Sequence, residues 1–213
     1  MTRALIFAGL LGWPLPVPVG AGDTPEVAIV VEDDVADVLY REMDLGGVLP
    51  KEVFVAGHRS MNRDGLQGRM LAIADMSQPS TARRLYVFDL AARRLVLRTW
   101  VAHGANSGGL MARRFSNREG SHQTSLGLYR VGQEIVSPKH GPALLLHGMD
   151  HGLNDQARAR EIIIHGADYV SSRFIAANGR LGRSWGCPAV PRDEMDRVIE
   201  LLADGGLLYV YAS

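Results

Sequence analysis

Residues 160–189 read REIIIHGADYVSSRFIAANGRLGRSWGCPA, and the fold and the chemistry both turn on this stretch. Arg160 to Ile164 is a short apolar run of β-branched residues, the pattern of a buried strand, and Gly166 marks the turn that follows it. His165 is thereby expected at a strand end. Further on, Ser184-Trp185-Gly186-Cys187-Pro188 reads as a tight turn in which Gly186 permits close backbone approach and Pro188 stiffens the exit. Cys187 is the only cysteine of the chain. A lone cysteine is either a small buried hydrophobe or a nucleophile. A free thiol is only slightly ionised near neutrality, so a neighbouring imidazole would have to accept its proton or stabilise a thiolate–imidazolium pair. The consecutive N–H groups of Gly186 and Cys187 could then face an oxyanion.

Outward from this stretch, other short apolar or alternating runs occur at 70–74, 85–90, 95–101, 126–131, 143–146 and 207–211. They predict a mainly β domain. The runs at 85–90 and 95–101 are separated by a length suited to a hairpin. Helical spacing is confined to residues 33–43, a second short segment after Pro50, and one late helix over 192–202 that Gly205-Gly206 ends. The class is therefore α+β overall, with a short N-terminal helical preface. Residues 102–124 are left as a long loop, of the kind that carries function or is a surface excursion.

The 213 residues are 46% hydrophobic, enough for a core without a disulfide framework. Lys and Arg together number 23, as do Asp and Glu, and this balance argues against a nucleic-acid or anionic-membrane binder. Residues 1–21 have the form of a signal peptide. Arg3 precedes an uncharged stretch too short to span a bilayer, Pro14, Pro16 and Pro18 follow, and Val19-Gly20-Ala21 supplies small residues for cleavage. Five histidines, at 103, 140, 147, 151 and 165, precede glycine. Zinc is nevertheless not expected, because Gly148 and Gly152 disfavour the helix that would align His147 with His151, and no third ligand stands at a familiar spacing. Most of these histidines are expected in loops or at the surface.

The segment from His165-Gly166 to Ser184-Trp185-Gly186-Cys187 resembles the signature of the L,D-transpeptidases of the YkuD type. Arg84 to Gly104 is similar to that fold's opening hairpin, and Thr124 to Tyr129 to its TPxGxF strand. Phe115-Ser116-Asn117, Asn154 to Arg158, and Gly182 to Ala189 resemble segments of the branch known as murein L,D-transpeptidase catalytic domains. The resemblance implies a YkuD-like β-sandwich or flattened barrel of mixed strands over residues 67–213; the helical preface at 22–66 is expected to cover one edge of the sheet.

The resemblance further implies a cysteine acyltransferase of the cell envelope acting on peptidoglycan stem peptides, with no cofactor and no metal. Cys187 would be the nucleophile, His165 the base, and the Gly166 carbonyl the group that orients it. Gly186 and Cys187 would supply the oxyanion hole, with Arg183, Ser184, Trp185, Asn154, Ser116 and Asn117 as substrate-facing candidates. A stem amine as acceptor gives a 3→3 cross-link with release of D-Ala; water gives an L,D-carboxypeptidase, and a protein lysine gives lipoprotein attachment. The non-enzyme alternative is a degenerate wall-binding domain. Trp185 stands where many members of the family have histidine, so a polar role at that position does not transfer.

Overall fold

Along β1 (Met70–Asp75) successive side chains enter different cores: Leu71 and Ile73 join one cluster, Ala72 and Ala74 the other. The same two-residue period runs through β2 (Leu85–Asp89), where Tyr86 and Phe88 oppose Leu85 and Val87, and it divides the molecule into layers. The computed structural model describes residues 34–63, 66 and 68–213. The expected signal peptide and the start of the preface, up to residue 33, lie outside the described residues.

The first layer is the helical preface, α1 (Val35–Glu42) and α2 (Lys51–Arg63). Asp34 caps α1 by accepting from the Ala36 N–H and also pairs with Arg59 of α2 at 2.7 Å. Leu39 and, from α2, Val53, Phe54 and Met61 pack on Leu71, Ile73, Tyr86, Phe88, Leu128 and Leu207. The preface therefore covers a face of the sheet rather than the edge expected from the sequence. The apolar side chains it buries stand perpendicular to the strands, and no edge strand offers such a surface.

The sheet is mixed, in the order β3-β2-β1-β8-β4-β5-β6-β7. Its other strands are β3 (Arg94–Thr99), β4 (Gly127–Ser137), β5 (Gly141–Gly148), β6 (Ile163–Ala167), β7 (Ala189–Pro191) and β8 (Leu207–Tyr211). Only β1–β8 and β6–β7 are parallel pairs. The chain beyond β3 turns to meet the far edge, where Ala102 N–H donates to Ala189 O at 2.8 Å. Together with a second bridge between Gly104 and Ser184, this contact all but closes the sheet into the expected flattened barrel.

Inside the curve lies the second core, in which Met195, Val198 and Leu202 of α4 (Met195–Leu202) pack against Ile164, Val190 and Leu208. A helix the sequence did not suggest, α3 (Ser172–Asn178), begins at Ser171, whose hydroxyl accepts from the Phe174 N–H, and ends at Gly179 with φ of 68°. β4 also runs beyond Val131 and pairs with β5 out to Ser137–Gly141, so that a hairpin arm overhangs the end of β6.

Candidate active site

His165 lies in the middle of β6 rather than at a strand end, because Gly166 and Ala167 go on to pair with Val190 and Pro191 instead of turning, and it is 1% exposed. A carbonyl can only accept, so the contact of 3.1 Å between His165 Nδ1 and the Gly166 oxygen fixes the proton on Nδ1 and leaves the lone pair on Nε2. The ring of His140, from the turn between β4 and β5, stacks on His165 with centroids 3.8 Å apart at 22°. Burial, opposed by the Gly166 hydrogen bond and assisted by His140, Arg192 and Lys139, holds His165 down to a pKa of about 4. The imidazole is a neutral base throughout the physiological range.

Cys187 reaches the same cavity because β6 and β7 run parallel with His165 opposite Ala189, two residues past the thiol. Both side chains line a cavity of about 750 Å³. The turn before the thiol is closed by Ser184, whose hydroxyl donates to the Cys187 carbonyl at 2.6 Å and accepts from the Gly186 N–H at 3.1 Å. Gly186 has φ of 124°, and a side chain there would lie 2.8 Å from the Gln123 carbonyl, so only glycine fits. The thiol's own hydrogen bond runs to the Glu161 carbonyl, at 3.8 Å, and not to His165. Burial raises the Cys187 pKa above its ordinary value, against the lowering effects of the Ile163 N–H, Arg160 and its own N–H. Base and thiol are thus both neutral at rest, and a proton need only move as a new bond forms at sulfur.

The loop at 102–124 frames the turn. Ser184 N–H donates to His103 O, Ala105 N–H to Ser184 O, and Thr124 Oγ1 to Gly186 O. His103 is itself buried, contrary to the surface position expected for most of the His-Gly pairs. Its Nδ1 accepts from Arg84 at 2.8 Å, and burial takes its pKa down to about 4. Arg84 is 0% exposed and spends its remaining donors on Val101 O and Gln78 O.

The expected substrate-facing residues separate into two groups. Arg183, Ser184 and Trp185 line the cavity. Arg183 is tied by Nη1 to the Gly108 carbonyl at 2.9 Å, and Trp185, 67% exposed, stacks on His122 at 4.8 Å while Lys139 stands 4.5 Å from its ring centre. Trp185 is therefore a bridge between two loops rather than a packing residue beneath one. Asn154 faces away: wholly buried, it accepts from the Asp150 N–H and donates to Leu126 O and Leu128 O. Ser116 accepts from the Arg118 N–H, and Asn117 links Asp155 to the Gln156 N–H, so both hold loops and neither lines the cavity. Gly186 likewise has its N–H committed to Ser184, which leaves Cys187 as the free amide of the expected oxyanion pair. Replacing Asn154 with alanine strands three buried backbone partners and is expected to lower stability by about 2–4 kcal/mol, read by urea unfolding. An unchanged KM in the folded fraction would separate this from a substrate contact.

Two residues that sequence reasoning missed belong to the site. Arg160 gathers the frame beneath the thiol, donating to Ser116 O, Ser125 Oγ, Ser121 Oγ and Gln123 O. Tyr169 lines the cavity, and Gly182 packs against its side chain, where an added Cβ would come within 2.4 Å of the Tyr169 Cβ and 2.6 Å of its ring. Arg160 has no spacing signal, because its partners come from a loop remote in sequence; the Gly182 position facing Tyr169 is equally silent before folding. Among the described residues no cluster of His, Cys, Asp or Glu could hold a metal ion.

A family model described as the L,D-transpeptidase catalytic domain matches residues 50–211. Among solved structures, the chain is similar to the helical cell shape determining protein Pgp2 (K307A mutant) of Campylobacter jejuni, at 16% identity over 78% of this chain and 57% of that one, with a TM-score of 0.44. It is similar also to an L,D-transpeptidase from Mycobacterium smegmatis (13% identity, 68% and 59% of the two chains, TM-score 0.41) and to one from Stackebrandtia nassauensis (15%, 83% and 75%, 0.40). The chain spans 48% to 59% of the length of the first three solved structures it matches. Comparison with curated proteins gives no match.

Proposed function

Since the chain belongs to the family of L,D-transpeptidase catalytic domains, we propose that it forms 3→3 cross-links in peptidoglycan through an acyl-enzyme on Cys187. The observation that carries this reading is the neutral His165, proton fixed on Nδ1 by Gly166, lining one cavity with the single thiol of the chain.

Cys187 Sγ attacks the carbonyl of the diaminoacyl residue at the third position of a tetrapeptide stem. His165 Nε2 takes the thiol proton as the S–C bond forms, and the Cys187 N–H faces the oxyanion. Collapse of the intermediate breaks the C–N bond, and the imidazolium returns its proton to the departing D-Ala amine. The side-chain amine of a second stem then attacks the thioester, its proton passes to Nε2, and the thiol is restored as the amide cross-link is made. No cofactor enters this sequence. Arg183, Ser184 and Trp185 remain as wall residues for the donor, the first two shaping the turn. A substrate of this kind lies outside the cytoplasmic membrane, and residues 1–21 supply the signal expected for export. Among the described residues no helix is long and apolar enough to cross a membrane.

The deciding experiment is mass-spectrometric product analysis of the protein incubated with disaccharide-tetrapeptide. Cross-linked dimers with loss of D-Ala are the expected result. Tripeptide monomers alone would replace this reading with an L,D-carboxypeptidase, and an unchanged substrate would point to a binding domain.

A pH profile tests the base. With His165 at about 4, acylation should stay flat as pH falls through 6.5 and decline only as the imidazole protonates near 4. His140→Ala exposes the ring and removes a like charge, so its acid limb should move up toward the ordinary histidine value. A wild-type limb already at 6.5 would show that another group is titrating. His103 and His165 both fold with pKa values below that of the unfolded chain. Their contribution to stability is therefore complete above 6.5 and falls away toward 4, so circular dichroism must accompany the profile.

A further inference from the structure

The chain as a whole balances 23 basic against 23 acidic residues, yet the walls of the cavity at Cys187 do not. Lys139, Arg158, Arg160 and Arg183 line it, against the single carboxylate of Glu161. The four cations differ in what they already hold. Arg160 is committed to loop carbonyls and hydroxyls, and Arg183 to the carbonyls of Ala105 and Gly108. Arg158, on the turn before β6, is exposed and makes no side-chain hydrogen bond or ion pair among the described residues. Lys139, at the tip of the β4–β5 hairpin, touches only the face of Trp185, a contact that leaves its N–H donors unspent. Two cations from separate elements thus reach one cavity without an anion to meet them. A concave wall of one sign raises the local concentration of the opposite charge, and Arg in particular suits a carboxylate.

We propose that this cavity selects donor stems by their free carboxylates, with Arg158 and Lys139 as the residues that hold them. The inference rests on the transpeptidase reading for the identity of the stem. In such a donor the diaminoacyl residue carries one carboxylate of its own and the terminal D-Ala carries another. Amidation of either keeps the shape and removes the charge, so an amidated stem should be a poor ligand for this protein. The neutral histidines at 140 and 165 neither add to the field nor oppose it at pH 7.

The test measures binding and turnover side by side. Calorimetric titration of the Cys187→Ala protein compares four tetrapeptide stems, with the diaminoacyl carboxylate free or amidated and the D-Ala terminus free or amidated. Wild-type protein is assayed in parallel for D-Ala release. Binding of the fully free stem is expected to be about tenfold tighter than that of the doubly amidated one, in keeping with charge-assisted contacts at a partly open surface. Arg158→Gln and Lys139→Gln should each narrow the ratio, and both together should bring it near unity; 0.5 M salt should narrow it as well. Equal binding of all four stems, no binding of any, or a ratio that neither substitution moves would overturn the proposal. D-Ala release accompanied by equal binding removes the carboxylate preference and leaves the transpeptidase. A carboxylate preference without D-Ala release does the reverse.

Discussion

Cys187→Ala is expected to abolish D-Ala release, by about 10⁴-fold or more, while the protein remains folded. The size of the effect follows from the covalent step: without sulfur there is no acyl-enzyme, and the cavity can do no more than hold the stem near a base. Folding should change little. The Cys187 side chain is only partly buried, and its one hydrogen bond is a long thiol contact to Glu161 O. The turn around it is held instead by Ser184 and by the positive φ of Gly186, neither of which involves sulfur. The measurement is a mass-spectrometric time course beside a thermal melt. A variant that melts like the wild type and still releases D-Ala at the wild-type rate would remove Cys187 from the mechanism.

The second large effect is expected far from any substrate. Arg84→Leu should lower stability by about 3–5 kcal/mol, because it strips donors from the Val101 and Gln78 carbonyls and from His103 Nδ1, all inside the fold. Burial already takes the guanidinium down to a pKa of about 10, against the favourable field of Asp75, and it is still charged at neutral pH. Arg84→Lys should recover only part of the loss, since a single ammonium cannot serve the fork of acceptors at Val101, Gln78 and His103. Urea unfolding followed by circular dichroism gives the number. Activity should fall with it, because the His103 carbonyl receives the Ser184 N–H and so steadies the cysteine turn. A Leu variant within about 1 kcal/mol of the wild type would mean that water enters and satisfies the site.

How much of this was legible beforehand depended on whether a residue's neighbours in sequence are also its neighbours in space. The hairpin of β2 and β3 could be read because β-forming residues flank a connection of hairpin length, and Arg93 at its tip has a φ of 51°. His165 and Cys187 could be read because a β-branched run and a Gly-containing turn announce themselves locally. The outer half of β4 could not: Gln133, Glu134 and Val136 are exposed, so the usual alternation of apolar and polar residues is absent there. β7 is three residues long and bounded by prolines. For α3 the only local marks were Ser171 and Gly179, the two caps of a helix with no buried residue. Asn154 is open to two readings in the sequence, a turn-fixing residue or a substrate contact. A polar side chain near a family motif suggests a ligand contact, and here all of its hydrogen bonds serve backbone groups of its own fold.

The barrel's seam has a mechanical meaning. The Ala102–Ala189 bridge is followed by a Gly104–Ser184 bridge, with Ser184 N–H donating to His103 O and Ala105 N–H to Ser184 O, so the chain beyond β3 is stitched to the cysteine turn at several points. Ala189 is also the residue paired with His165 in the β6–β7 ladder, and it follows Cys187 by two positions. Any shift of the 102–124 loop is thereby passed to the Ser184–Cys187 turn, which the loop also holds through Thr124 Oγ1 and the Gly186 carbonyl. The seam is therefore a clasp on the thiol's position, and the amides of Ala102 and Ala105 are expected to exchange slowly with solvent; fast exchange at both would show that the clasp opens.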